Sequence, residues 1–124
     1  MLIEIILVIL IGILAGIFTG LIPGIHINLI ALLILSSAPA LLSVTSPLMI
    51  SIFIISMSIT HTFLDTIPSV FLGAPESSTA LSVLPGHKLL LQGKGYEAVM
   101  LTLIGSFLAL ILAICLAPLI SIII

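Results

Sequence analysis

Residues 5–22 read IILVILIGILAGIFTGLI. The run carries no charge, and its glycines fall at 12, 16 and 20. A helix that crosses a bilayer core needs roughly 20 mostly apolar residues, and this stretch supplies them. Glycines four residues apart line one helix face. In lipid, where small residues rather than hydrophobicity drive helix packing, such a face admits a second helix at close range. The same character extends outward, because no Asp, Glu, Lys or Arg occurs between Glu4 and Asp65. The whole chain is 62% hydrophobic and 5% charged, with a mean hydropathy of +1.65, which excludes a soluble domain. Its length suits about four spans. The expected fold is an all-α polytopic membrane protein of about four apolar helical segments, some interrupted by Pro and Gly, with residues 1–124 forming one transmembrane unit.

Composition narrows the partners. Lys88 and Lys94 are the only basic residues and the net charge is −2, so nucleic acid is not an expected partner. Cys115, alone in an apolar run, reads as a packing residue. The N-terminus lacks the basic region and the cleavage pattern of a secretory signal, and is kept as mature structure. No repeat of 20–50 residues is present. Nor is there a nucleophile elbow, a phosphate-binding glycine loop, a cofactor fingerprint or a pair of carboxylates. Neither enzymatic activity nor a cofactor is expected.

The first run breaks at Pro23-Gly24, and a second apolar stretch covers residues 25–42, opening with His26 and Asn28. A turn at 43–47 leads to a third helix over 48–63. On that helix Ser51, Ser58, Thr62 and Asp65 share a sector of about 60°, with His61 at its border. Serine and threonine can bond back to helix carbonyls, so the hydroxyls alone would say little. Ending in a histidine and a carboxylate one turn apart, the stripe reads as the lining of a polar interior. Pro68 is expected to end this helix. Residues 69–84 are too short and too rich in hydroxyls for an easy span and suggest re-entry, with Pro85-Gly86 as the close. The loop 85–96 holds both lysines and is expected on the cytoplasmic side. Residues 98–124 form the last span, with Thr102, Ser106, Ala109, Ala113 and Ala117 as a small-residue face and Pro118 kinking its end.

Interrupted helices are where chemistry can sit. Each backbone group freed by a break costs several kcal/mol in lipid, so breaks survive only where protein or water supplies partners. Secondary transporters use the freed groups to bind anions and cations. Two such places occur. Gly24, His26 and Asn28 follow the first break, and Ser77, Ser78 and Thr79 follow the second, at Gly73 to Pro75. Both sets are candidates for holding an ion or an anionic group, and turns wetted at the membrane surface are the plainer reading that stays open beside it. Asp65 and His61 could form a proton relay, an ion site or, with His26, part of a metal site. A zinc enzyme would normally add a general base, as in H-E-x-x-H, where this chain has His61-Thr62-Phe63-Leu64-Asp65. No metal is therefore expected, and the proton relay and the ion site both stay open for Asp65 and His61.

Two motifs carry a family resemblance. GIFTGLIPGI (16–25) resembles the first signature of the large permease subunit of tripartite tricarboxylate transporters, the TctA-type membrane proteins. LGAPESST (72–79) and PGHKLLLQGKGYEAV (85–99) resemble that family's Pro-Gly-rich segment and its Gln-Gly-Lys-x-x-x-Ala ending. The family's Pro-Gly is Pro75-Glu76 here, and its Asp-Gly is Pro85-Gly86. Histidines 26, 61 and 87 also depart from the bacterial pattern, which suggests a divergent branch of archaeal type. The resemblance implies secondary uptake of a small organic anion such as a carboxylate, coupled to H⁺ or Na⁺, by a multi-pass protein of the plasma membrane. It also implies an extracytoplasmic binding protein, a coupling ion carried by Asp65 with His61, and a substrate held at Gly24, His26 and Asn28 and at Ser77, Ser78 and Thr79. Family permeases are several times longer, so a membrane partner chain or homo-oligomer is expected to supply the missing helices around an N-terminal portion. Two other readings remain open at this point. One is a non-transporting subunit that docks helices of a larger complex; the other, weaker, is an intramembrane metal hydrolase.

Overall fold

The computed structural model of the chain describes residues 1–73 and 80–123, and every regular element among them is a helix. In order these are α1 (Leu2–Leu21), α2 (Ile27–Ser36), α3 (Ala38–Leu41), α4 (Pro47–Leu64), α5 (Thr66–Leu72), α6 (Ala80–Leu91) and α7 (Gly95–Ile123). Three stretches are long and apolar enough to cross a membrane: Leu2–Leu21, Pro47–Leu72 and Gly95–Ile120.

The glycine face of α1 is filled by α4. A Cβ on Gly12 would collide with Ser56 Oγ, one on Gly16 would lie 2.6 Å from Met57 O, and one on Gly20 would lie 2.8 Å from His61 O. Backbone therefore meets backbone, the close approach that small residues permit in lipid. The pairing also fixes direction. Positions 12, 16 and 20 of α1 meet 56, 57 and 61 of α4 in ascending order, so the two helices run parallel.

A parallel pair obliges the chain to return between them. Val44, Thr45 and Ser46 line a cleft of about 460 Å³ with Glu4, Leu7 and Val8, which places the start of α4 beside the start of α1. The return leg is α2 and α3, with Ile34 and Leu41 lining an apolar cleft of about 290 Å³ against Val8, Ile11, Ile50 and Phe53. The expected helix over 25–42 is thus present as a leg but broken at Ser37. Pro39, in the first turn of α3, cannot donate to the Leu35 carbonyl. The hydroxyls of Ser36 and Ser37 bond back to Leu33 O, at 2.8 and 2.9 Å, at the same break.

Pro68 does not end the third helix. The interruption falls at Asp65, and α5 continues from Thr66 with Pro68 in its first turn, where a missing N–H is harmless. Leu64 O is the acceptor that Pro68 cannot serve, which puts the break upstream of the proline. α5 ends at Gly73, whose φ of +63° is the left-handed conformation of a helix C-cap. Pro85-Gly86 likewise closes nothing, because both residues lie inside α6. A Cβ on Gly86 would sit 3.0 Å from Val70 Cγ2, so the glycine lets α6 rest on α5. The expected loop shrinks to residues 92–94, turned by Gly93 at φ +77°. α7 then runs back along α4. Gly95 meets Phe71 near its start, and Ser106, Ala109 and Leu110 line a cleft of about 310 Å³ with Ser58, Ile59, Thr62 and Phe63.

The interior is small and polar. Among the described residues the buried hydrophobic side chains are Met57, Val70 and Ala98, while His61, Asp65, Thr66 and Ser69 are buried beside them. Leucine, isoleucine and phenylalanine cover the outside. Apolar surface needs no shelter in lipid, whereas polar groups do.

Candidate functional site at the broken end of the bundle

The breaks gather at one end. Gly20, in the last turn of α1, lies against His61 and Leu64, and Pro23-Gly24 follows directly. Asp65 interrupts α4 and α5 at the same level. Gly73, α6 and both lysines lie beyond it on the same side.

His61 and Asp65 are the predicted residues that the fold buries, at 1% and 5% exposure. They stand one turn apart, joined through the backbone by Asp65 N–H donating to His61 O at 2.9 Å. The Asp65 carbonyl in turn accepts from the N–H and the hydroxyl of Ser69, at 3.1 and 2.7 Å. α5 is thereby tied to the residue at the break. Across the α1–α4 seam, His61 Nδ1 lies 3.0 Å from Thr19 Oγ1. Thr19 also donates to Gly16 O at 3.3 Å. An imidazole and a carboxylate held this way, away from bulk water, can take up and release a proton or ligate a cation.

The other predicted residues differ. His26 is the N-cap of α2 with extended backbone, and its carbonyl accepts from Leu29 N–H at 3.0 Å. His26 and Asn28 are exposed, and Gly24 takes φ +88° with nothing within 4 Å of its absent Cβ. This set is therefore an open turn above the buried pair. Ser77, Ser78 and Thr79 fall outside the described residues. The hydroxyl stripe is not a continuous lining. Ser51, Ser58 and Thr62 bond back to Pro47 O, Ile54 O and Ser58 O, and Ser51 and Thr62 are exposed. They occupy the face of α4 opposite the one that meets α1, with Ser58 and Thr62 on the α7 cleft. Among the described residues no three His, Cys, Asp or Glu side chains gather.

Sequence reasoning missed Thr19, Thr66 and Ser69. The signal for Ser69 was available in its four-residue spacing from Asp65. Nothing local points from Thr19 to a histidine 42 residues away.

Comparison with known proteins agrees with the sequence motifs. The family model described as "Tripartite tricarboxylate transporter TctA family" matches residues 6–124. Uncharacterized protein MJ1079 of Methanocaldococcus jannaschii is 52% identical over 62 residues, covering 50% of this chain and 16% of that protein. The aligned part is thus a small fraction of the curated relative's length. No solved structure matches.

Proposed function

This chain belongs to the tripartite tricarboxylate transporter TctA family, and from that premise we propose that it forms part of a permease for a small organic anion such as a carboxylate. Uptake is secondary and coupled to H⁺ or Na⁺. Asp65 carries the coupling ion with His61 beside it, and the turn at Gly24, His26 and Asn28 together with Ser77, Ser78 and Thr79 holds the substrate. An extracytoplasmic binding protein delivers the anion, and further helices complete the permease around this unit. The observation that carries this reading is the buried His61–Asp65 turn at a helix break, in a chain whose surface is otherwise fitted to lipid. The experiment is uptake of labelled carboxylates into proteoliposomes holding the complete assembly. Accumulation that follows an imposed H⁺ or Na⁺ gradient is expected; uptake indifferent to both gradients contradicts the coupling.

The two lysines support an orientation in the plasma membrane. Both are exposed, Lys88 on α6 and Lys94 in the turn before α7, and positive charge favours the cytoplasm. In this reading the broken end faces inward, and Met1, at the other end of α1, faces outward. A single cysteine at Gln92, in a Cys115-free background, should react with an impermeant thiol reagent only after cells are opened. Labelling of intact cells reverses the orientation.

A further inference from the structure

Thr19 has one hydroxyl proton and two neighbours within hydrogen-bond distance, Gly16 O at 3.3 Å and His61 Nδ1 at 3.0 Å. A carbonyl oxygen can only accept. If the hydroxyl donates to Gly16 O, the second contact is a hydrogen bond only when Nδ1 of the ring carries the proton and Thr19 Oγ1 accepts it. Back-bonding of this kind is the habit of hydroxyls along this seam: Ser56 donates to Ile52 O at 2.8 Å and Thr60 to Ser56 O at 2.9 Å. We infer that Thr19 is a positioning residue for His61, fixing the neutral ring with its proton on Nδ1 and leaving Nε2 as the basic nitrogen. This is the reverse of the form favoured by imidazole in water. The seam makes it possible. A Cβ on Gly20 would lie 2.8 Å from His61 O and 3.1 Å from His61 Cα, so the missing side chain brings α1 close enough for Thr19 to reach the ring.

The consequence for transport rests on the reading of His61 and Asp65 as the coupling pair. With Nδ1 turned to α1, Nε2 is the acceptor nitrogen of the ring, the one suited to a proton or a cation. α1 offers no competing charge there, since its one titratable side chain, Glu4, lies at the opposite end of the helix. Asp65, one turn along, is the neighbouring carboxylate. Thr19 therefore acts through His61 rather than on the ion.

The tautomer can be read without any transport, so its failure is distinct from failure of the permease reading. Nitrogen-15 NMR of histidine-labelled protein in bilayers, recorded with the rings neutral, resolves the two forms, and His61→Gln identifies the His61 signal. His87 is an internal reference, because its Nδ1 lies 3.2 Å from Val70 O and must be the donor. The expected result is the Nδ1–H form at His61. That form should persist in Thr19→Ser, and in Thr19→Val it should give way to the Nε2–H form while the His87 signal stays in place. An Nε2–H form in the unsubstituted protein overturns the inference, as does an Nδ1–H form that survives Thr19→Val.

Discussion

α1 and α7 are both long, apolar helices with small residues at steps of three or four, yet one is half of a tight seam and the other stands largely alone. Gly12, Gly16 and Gly20 each press on α4 backbone or side chain. On α7, Gly105 has nothing within 4 Å of its absent Cβ, and Ala109, Ala113 and Ala117 are exposed. The difference lies in what comes with the small residues. Along the α1 seam His61 meets Thr19 across the contact at 3.0 Å, while Ser56 and Thr60 bond back to carbonyls of their own helix. Most of α7 offers little polarity, with Thr102 bonding back to Ala98 O. Small residues permit close approach; polar groups that need shelter give it a reason.

Substitutions at matched glycines sharpen this contrast. Gly16→Leu would force a side chain into Met57 O and Thr60 Cβ, both at 2.6 Å, neither of which can yield cheaply. Thermal unfolding in detergent should show a loss at the top of, or beyond, the usual overpacking cost of about 1–3 kcal/mol. Stability unchanged by that leucine would break the account of the seam. An intermediate effect is expected where α6 is held to α5. His87→Ala removes the donor to Val70 O and should cost about 1 kcal/mol, read in the same assay. The smallest effect belongs to α7. Gly105→Leu enters open space and should stay within about 0.5 kcal/mol of the parent. A large loss there would reveal a partner surface on α7.

How far these features could be read from sequence depends on how local their causes are. The glycine face of α1 was legible because its spacing alone puts three bare positions on one side. The burial of His61 and Asp65 was legible because charge and imidazole are rare in such a chain. The face of α4 that meets α1 was not. Hydroxyls at 51, 58 and 62 form the more regular stripe, but back-bonding satisfies each of them, so they exert no pull toward the interior. The seam instead uses Ser56, Met57, Thr60 and His61, chosen by α1. Proline misled for a related reason. Pro68 and Pro85 look like stops, yet one sits in a first turn and the other inside a helix whose Gly86 is required by Val70. The parallel course of α1 and α4, and the return leg it demands, follow from contacts far apart in sequence and leave no local mark.

The central claim is that the buried carboxylate at the α4–α5 break carries the coupling ion, and Asp65→Asn tests it most directly. The amide keeps the size of the side chain, and the backbone bonds from Asp65 to His61 and Ser69 do not depend on its charge. The variant should therefore insert and fold like its parent. In proteoliposomes with the complete assembly, gradient-driven uptake should be lost between about pH 5 and 8, the range in which an unperturbed histidine changes charge, while Glu4→Gln transports normally. Uptake by Asp65→Asn equal to the parent across that range would contradict the claim and return Asp65 to the role of a helix-end residue.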